Sequence, residues 1–557
     1  MKKIVLLLTA FAFASVWSGC DEFLDTTPTN RISDKLVWDD VKAATMYTNN
    51  FYAYIDRYGL FATQDGGNSQ FNGNLTDGLT ETFKYGSNEL GSRNGDANWI
   101  ATIPEQISPS NDCLLTIWGP TYTRIRRVNE FLVGLYNFST FDDRTNLLFE
   151  AQARFFRAYL YFQLARRHGG VILYTDMNLV KDKNRSSAEE TWNLIESDLD
   201  FAAANLPATW DAANEGRITR GAAFAFKSRA MLYAQRWQSA KSAADSVFSG
   251  AGLAGKYALV NNYADAWKGG NSEAILEYRY LLTGPSHRFD LDYVPFGDIV
   301  NGGGKGGPTQ EFVEAFEKAD GTRVDWTPWH GTTTTPPPYA QLEPRFHASV
   351  IYNGCTWKGK TMENAVDGAN GRYMEYASES YPQGRTVTGY YLRKLIDETH
   401  VDLTSNASTQ TMVEIRLAEV YLNRAEAHYR LNNATAALAD LNAVRTRPSV
   451  GLPPKTGLAG EALFDAIRQE RKIELAFEGH LYWDMRRWRL AHEDYPKGYN
   501  NYRVHGLKIT GTPGNYTYEY VDCDKTDRKF QAKAYVLPIP YSELQNNNAV
   551  EQYDEWK

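Results

Sequence analysis

The segment from Ile415 to Pro448 constrains the fold most, because it carries two helical stripes separated by a tight turn. The first stripe recurs every three or four residues, as one face of an α-helix does, and consists of Ala418, Leu422, Ala425 and Tyr429. The Leu-Asn-Asn triplet at 431–433 predicts the turn, and the second stripe consists of Ala437, Leu441 and Val444. A unit of 34 residues with small residues at the helix crossing is typical of a tetratricopeptide-like hairpin.

The same helical spacing predicts further helices along the chain. They cover Trp38–Tyr54, Trp118–Leu135, Asp143–His168, Ala188–Leu206, 217–249, 413–447 and 461–490. Residues 217–249 resemble a second, poorer copy of the hairpin. Residues 461–490 are predicted as a further helix pair that is broken at Gly479.

Irregular sequence rich in Gly, Asn, Pro and Thr separates these helical blocks, mainly at 59–111 and 253–410. Short strand-like runs occur within and after it, at Ala274–Tyr280, Tyr390–Leu395 and 505–540. Long irregular stretches in a compact protein are usually functional. Since binding residues tend to lie on loops carried by a rigid scaffold, we expect the ligand site in these stretches.

The N-terminal segment has the layout of a secretory signal. Two lysines precede an apolar run, Ile4–Val16, that is too short to span a bilayer, and small residues then lead to Cys20. This pattern resembles a bacterial lipobox. It predicts a signal peptide at 1–19, a lipid on Cys20 and an extended tether up to residue 36. An ordinary signal peptide with an incidental cysteine is the alternative.

The acidic pair Asp21–Glu22 follows directly on Cys20. Such residues resemble the export signal of surface lipoproteins in Bacteroidota, so we expect the chain to face outward from the outer membrane. A lipoprotein that faces the periplasm is the alternative. Two acyl chains would anchor the protein stably to the membrane.

Charge and motifs exclude several classes of function. The net charge of −8 argues against nucleic acid as a partner, because phosphate binding needs a basic surface. Cys113, Cys355 and Cys523 allow one disulfide but form no zinc-binding CxxC pair. The sequence contains neither HExxH nor GxSxG. We therefore predict a binding protein without catalytic residues, metal site or cofactor.

Two charged or glycine-rich segments invite a catalytic interpretation that the residues do not favour. The run NGGGKGGPT (301–309) lacks the Ser or Thr that follows the lysine of a phosphate loop, and it is interpreted as a flexible loop. Glu470 and Glu474 lie four residues apart in a predicted helix that also carries Arg468, Arg471 and Lys472. Such spacing favours a structural ion-pair network.

Four segments, taken together, resemble the SusD/RagB family. They are CDEFLDTTP (20–28), EAQARFFRAYLYFQLARRHGGVIL (150–173), IRLAEVYLNRAEAHYRLNNATAALADLNAVRTR (415–447) and RQERKIELAFEGHLYWDMRRW (468–488). The resemblance implies a mainly α domain over 37–557, with about four tetratricopeptide-like helical hairpins and a large irregular, loop-rich portion with short strands. The helical scaffold would cover about 37–58, 112–250 and 411–495, and the ligand-binding loops about 59–111 and 253–410.

The resemblance also implies a function. Members of the family are surface lipoproteins that bind glycans and act as a lid on a SusC-type TonB-dependent transporter. RagB-like members serve peptide uptake. Glycan capture and delivery to such a transporter is therefore the expected function, and the alternatives are peptide uptake, a surface hydrolase and a scaffold that binds partner segments in its helical groove.

Two loop blocks carry the residue types that sugar binding needs, namely flat aromatic faces together with polar side chains that fix hydroxyls. The candidate ligand-binding residues are Trp99, Tyr293, Phe296, Trp326, Trp329, Phe71, Asn98, Arg93 and Tyr339. A weaker third group comprises Arg372, Tyr373, Tyr376 and Tyr381. The alternative for each aromatic residue is a small cluster that pins a long loop to the scaffold.

Overall fold

The computed structural model describes most of the chain beyond the predicted tether. The described residues are 34–61, 70–71, 74–86, 109, 117–178, 180–299, 302–375, 384–403, 408–524 and 527–557. The predictions for the signal peptide, Cys20 and Cys113 lie outside these ranges. The first helix of the described residues begins at Asp34, so the last three residues of the predicted tether are helical.

Helices dominate the described chain, as predicted. The N-terminal half contains α1 (Asp34–Asp39), α2 (Val41–Tyr58), α3 (Trp118–Phe138), α4 (Asp143–His168), α5 (Ala188–Asn205), α6 (Arg220–Tyr233) and α7 (Trp237–Ser249). Short helices follow in the irregular portion, namely α8 (Phe289–Tyr293), α9 (Gln310–Glu314) and α10 (Pro344–Ser349). The C-terminal part adds α11 (Leu417–Arg430), α12 (Ala434–Arg445), α13 (Gly460–Glu474), α14 (Leu481–Arg487) and α15 (Tyr541–Asn546).

Local signals in the sequence set the ends of the central helix, α4. Asp142 accepts a hydrogen bond from the N–H of Thr145 and caps the N-terminus. Gly169, at φ +69°, ends the helix with an N–H that donates to the carbonyl oxygen of Ala165. The helix is buried along most of its length, and Phe155, Tyr159 and Phe162 pack on Phe226 of α6.

Helical hairpins form where the sequence predicts them. Helices α6 and α7 pack together across a turn at Gln235, which has φ +58°. Helices α11 and α12 pack together across the predicted turn, where Asn432 has φ +60°. Helix α7 also packs on α11, so the two hairpins form one continuous layer. Each turn leaves one residue in the left-handed region, which reverses the chain within a few residues.

Short strands organise the irregular portion. They are β1 (Gln70–Phe71), β2 (Asn74–Leu75), β3 (Phe83–Tyr85), β4 (Ala274–Tyr278), β5 (Gly306–Pro308), β6 (Thr332–Thr333), β7 (Val350–Ile351), β8 (Thr356–Trp357), β9 (Lys360–Thr361), β10 (Tyr391–Leu392), β11 (Met412–Arg416), β12 (His505–Thr512) and β13 (Asn515–Asp522). The antiparallel pairs are β1–β2, β3–β5, β4–β11, β7–β10 and β8–β9, and β12–β13 is joined by β6.

Two predictions about local structure are wrong. Residues 412–416 form a strand, although helix was predicted from 413, because Val413 and Ile415 alternate with polar residues and pair with β4. Residues 306–308 form a buried strand, although a flexible loop was predicted. The glycines there permit close packing, since a Cβ on Gly307 would lie 2.4 Å from the carbonyl oxygen of Tyr390.

A buried ion network joins the irregular portion to the helices. Glu474, at the end of α13, accepts hydrogen bonds from Arg345 (3.1 Å), Arg416 (2.7 Å) and Arg447 (2.9 Å). Glu273, just before β4, binds Arg416 and Arg447 at 2.8 and 3.0 Å. The prediction of a structural network is confirmed, but the partners of Glu474 come from other segments and not from its own helix.

We call this set the Glu474 network. Its members are Glu273, Arg345, Lys394, Arg416, Arg447, Glu470, Glu474 and Glu478. Each side chain has at most 7% of its surface exposed. Desolvation of so many charges is costly unless each is paired, so the network fixes the relative positions of the segments that supply them.

Two further features concern the predicted chemistry. Cys355 and Cys523 are both free and buried. Within the described ranges, every helix is too short or too polar to cross a membrane.

Removing Glu474 is expected to destabilise the protein strongly. The Glu474→Ala variant leaves three buried arginines without their shared carboxylate, so we expect a loss of about 3–5 kcal/mol in the free energy of unfolding. Urea denaturation followed by circular dichroism measures this loss. The matched control is Glu461→Ala on the same helix, whose side chain is 67% exposed and should contribute less than about 0.5 kcal/mol. Equal effects of the two variants would contradict the structural role.

Acid should weaken the same network. Burial alone would raise the pKa of Glu478, but the charges of Arg416 and Lys394 outweigh burial and lower this pKa to about 2. An unfolded glutamate has a pKa of about 4.3. As the pH falls, the carboxylate of residue 478 therefore takes up a proton in the unfolded chain before it does so in the folded chain. Stability is therefore full above about pH 5 and falls as the pH approaches 2. Denaturation midpoints at several pH values should decline less steeply in Glu478→Gln, and an unchanged slope would count against this assignment.

Candidate functional site

Among the candidate aromatic residues whose side chains the structure describes, Phe296 alone is half-buried. The others are buried. Its ring lies 4.7 Å from the guanidinium carbon of Arg372 and 5.8 Å from that of Arg385. Both guanidinium groups therefore lie beside the same ring, and burial together with the charge of Arg372 lowers the pKa of Arg385. We call these three residues the Phe296 cluster.

A buried tyrosine positions the loops that carry this cluster. The hydroxyl of Tyr391 in β10 accepts from the N–H of Arg372 at 3.0 Å. Its own O–H can donate a hydrogen bond to the carbonyl oxygen of Gly384 at 2.9 Å or to that of Arg372 at 3.1 Å. Tyr391 therefore ties together the two loops that present Arg372 and Arg385.

Close backbone approach completes the support of the cluster. Gly384 lies at φ +82°, and a Cβ there would be 2.9 Å from the carbonyl oxygen of Gly302 and 3.2 Å from the Cα of Phe296. Only glycine adopts this conformation at such a short distance without strain. Three loops thus converge beside one aromatic ring.

The polar neighbours of Phe296 are also fixed. Asp298 accepts a hydrogen bond from the indole N–H of buried Trp357 at 2.8 Å and lies 3.4 Å from the ammonium group of Lys358. The loop after α8 is therefore held at both ends, by its helix and by the β8–β9 hairpin. A site of this kind is preorganised, so a ligand pays little for ordering it.

The arrangement suits a ligand rich in oxygen atoms. An aromatic face packs on the C–H surface of a sugar ring, and guanidinium N–H groups donate to hydroxyl or carboxylate oxygens. In the described residues, no group of three or more His, Cys, Asp and Glu side chains is placed to hold a metal ion. The chemistry that the cluster offers is binding through stacking and hydrogen bonds.

Three other candidate aromatics of the second loop block, Trp326, Trp329 and Tyr339, are packed into the protein interior. Trp326 and Trp329 form an edge-to-face pair with ring centroids 5.6 Å apart, and their exposed fractions are 5% and 9%. The indole N–H of Trp329 donates to the carbonyl oxygen of Thr335 at 3.0 Å. Tyr339 is buried, and its hydroxyl lies 2.9 Å from that of Tyr390. These contacts are those of a cluster that pins a long loop.

The remaining candidates fall in different places. Tyr293 is buried at the end of α8, and its hydroxyl accepts from the N–H of Leu75 at 3.3 Å. Phe71 lies in β1. Tyr373 is buried, whereas Arg372 belongs to the Phe296 cluster. Residues outside the described ranges are Arg93, Asn98, Trp99, Tyr376 and Tyr381.

Sequence reasoning missed Arg385. It follows Gly384 in the run Pro-Gln-Gly-Arg, which is the kind of glycine-containing loop where binding residues lie. Arg385 has no aromatic residue directly beside it in the sequence, so no local pattern marks it as a binding residue. Only the convergence of three loops brings it to Phe296. Tyr391 was likewise recognised only as part of a strand.

Comparison with known proteins identifies the family to which this architecture belongs. A model of the SusD family matches residues 272–556, which is more than half of the chain. A second model, described as starch-binding associating with outer membrane, matches residues 22–232. The chain therefore belongs to the SusD family.

Individual relatives agree over nearly the whole length. A SusD-like protein of Bacteroides fragilis has a solved structure with 27% identity and a TM-score of 0.77, and the match covers 95% of this chain and 100% of that one. A SusD-like carbohydrate binding protein of the same species matches at 24% identity and a TM-score of 0.76, covering 92% and 99%. The SusD-like protein P25 of Formosa agariphila is 22% identical over 100% of this chain and 99% of its own.

The variant Trp329→Ala separates a loop-pinning role from a ligand platform. Because the ring is buried, we expect its removal to lower the free energy of unfolding by about 3 kcal/mol, measured by chemical denaturation. The control is Phe138→Ala, an exposed phenylalanine whose loss should cost less than about 0.5 kcal/mol. Unchanged stability together with lost ligand binding would instead make Trp329 a platform.

Proposed function

We propose that this protein is a lipid-anchored, outer-membrane protein that captures a glycan at the cell surface and delivers it to a SusC-type TonB-dependent transporter. The observation that carries the binding function is the Phe296 cluster, an accessible aromatic ring flanked by two arginines on preorganised loops. Lipidation at Cys20 and the tether after it would hold the binding domain next to the transporter.

Membership of the SusD family supports the carbohydrate ligand. One matching family model is described as starch-binding and associating with outer membrane, and one similar structure is a carbohydrate binding protein. The Phe296 cluster agrees with this ligand class, since stacking and N–H donors are the two contacts that sugar rings need. The arginine pair adds a preference for ligands with exposed oxygen atoms, including uronic acids.

The proposal assigns no catalytic step to the cluster. Glycoside hydrolysis needs two carboxyl groups at a set separation around the scissile bond. Asp298, two residues after Phe296 in the chain, is engaged by Trp357 and Lys358. The two arginines and the ring therefore hold a glycan for transfer.

Removal of the aromatic face tests the proposal. The variant Phe296→Ala should bind its glycan roughly tenfold more weakly, because aromatic packing contributes about 1–1.5 kcal/mol and 1.4 kcal/mol is a factor of ten. Affinity gels and calorimetry against soluble starch, laminarin, xylan and polygalacturonate measure the change. The matched control is Phe138→Ala, which removes an exposed phenylalanine of α3 and should bind as the wild type does.

Three outcomes would contradict the proposal. Wild-type protein that binds none of these glycans but retains oligopeptides would be a peptide-uptake protein. Release of reducing ends during incubation with a glycan would identify a surface hydrolase. Equal affinities of the Phe296→Ala and wild-type proteins would exclude the Phe296 cluster from the glycan site.

A further inference from the structure

A concave site lies outside the Phe296 cluster and shares none of its residues. It is a cleft of about 520 Å³, a volume within the range of small-molecule sites. Its lining includes Glu81, Glu311 and Glu314, Gln469 and Lys472 from α13, and Tyr495. We call it the Glu81 cleft.

Glu81 is a buried carboxylate that is only partly satisfied. It is 4% exposed, and its Oε1 accepts from the ammonium group of Lys472 at 2.6 Å. Its Oε2 has no hydrogen-bond partner among the described residues. A buried polar atom without a partner costs free energy, so the protein itself leaves part of the hydrogen-bonding capacity of Glu81 unused.

The cleft also brings an aromatic ring next to carboxylates. Tyr495 stacks on Tyr502 with ring centroids 3.9 Å apart and an angle of 13°, and it remains half-buried at the cleft. Burial raises the pKa of the Tyr495 hydroxyl, as do the charges of Glu311, Glu81 and Glu314, which line the same cleft. Hydrogen-bond acceptors and a flat apolar face thus lie side by side.

The charge of the lining identifies the kind of ligand. Four acidic residues face four basic ones, namely Glu81, Glu311, Glu314 and Asp465 against Arg323, Arg468, Lys472 and Lys497. A balanced lining offers no net attraction to an ion. It offers acceptors and donors together, which suits a neutral molecule with many hydroxyl groups.

Hydrogen bonds hold the walls in place. The hydroxyl of Thr309, which caps α9, donates to the carbonyl oxygen of Glu81 at 2.6 Å. The side-chain amide of Gln469 donates to the carbonyl oxygen of Ala315 at 2.7 Å. The segment of Glu81, helix α9 and helix α13 are therefore joined around the cleft, and the site is formed before any ligand enters it.

We propose that the Glu81 cleft is a second binding site, which takes a neutral saccharide unit. Hydroxyl groups of the sugar donate to the carboxylates of Glu81 and Glu314, and its C–H face packs on Tyr495. The site is independent of the Phe296 cluster, so it would let one protein hold a glycan chain at two points or two chains at once.

The test compares variants of the chain that lacks only residues 1–19. The probes are maltotetraose, laminaritetraose and xylotetraose at millimolar concentration. Calorimetry gives the number of sites, and hydrogen exchange reports protection of residues 490–497. We expect protection of this segment, a roughly tenfold loss of affinity at one site in Tyr495→Ala and a similar loss in Glu81→Gln.

Matched variants keep the result specific. Tyr541→Ala removes a tyrosine that is 50% exposed elsewhere and should change nothing. Tyr495→Phe keeps the ring and should keep most of the affinity. Circular dichroism confirms that each variant is folded, and Glu81→Gln serves in place of Tyr495→Ala if the latter does not fold.

Several outcomes overturn the proposal. The first is that none of the saccharides protects residues 490–497 from exchange. The second is that the affinity is unchanged in both Tyr495→Ala and Glu81→Gln. The third is that tetralysine alone protects the segment, which would identify a site for basic peptides. Loss of this protection in Phe296→Ala would show that the cleft is not an independent site. Protection of residues 490–497 that survives in Phe296→Ala supports the Glu81 cleft as an independent site. This holds even if Phe296→Ala leaves the affinity of the first site unchanged, a result that would exclude the Phe296 cluster from the glycan site.

Discussion

The Glu474 network is the constraint on which the rest of the structure depends. Its arginines come from α10, from the end of β11 and from the segment after α12, and its carboxylates from α13 and the start of β4. Charges removed from water are tolerated only when each finds a partner at close range. One buried carboxylate therefore dictates how the irregular portion of the chain docks on the helical hairpins.

Both proposed binding sites stand on this frame. Strand β4 leads from the network toward α8 and Phe296, and α13 leads from it to the wall of the Glu81 cleft. At each site short hydrogen bonds, from Tyr391 in one case and Thr309 in the other, fix loops before a ligand arrives. Rigid support for loop residues is what allows weak contacts such as stacking to add up to affinity.

Aromatic residues serve two purposes in this protein. The side chains of Trp326, Trp329 and Tyr339 are buried in the interior and hold a long loop against the core. Phe296 and Tyr495 keep part of their rings accessible, and each is braced on one side, by arginines or by Tyr502. Burial stabilises the first group, whereas the rings of the second group remain accessible beside polar groups.

The sequence by itself determined the helices, their pairing and their ends, because these depend on local signals such as the Asp142 cap, Gly169 and the 34-residue hairpin. Fold class was therefore predictable, and Phe296 was among the candidate residues, although the site itself stays a prediction. Only the tertiary structure decided that Phe296 is accessible while Trp329 is buried, that Arg385 joins it, and that Arg345, Arg416 and Arg447 surround Glu474. Exposure and charge pairing arise between segments far apart in the chain, and no local pattern encodes them.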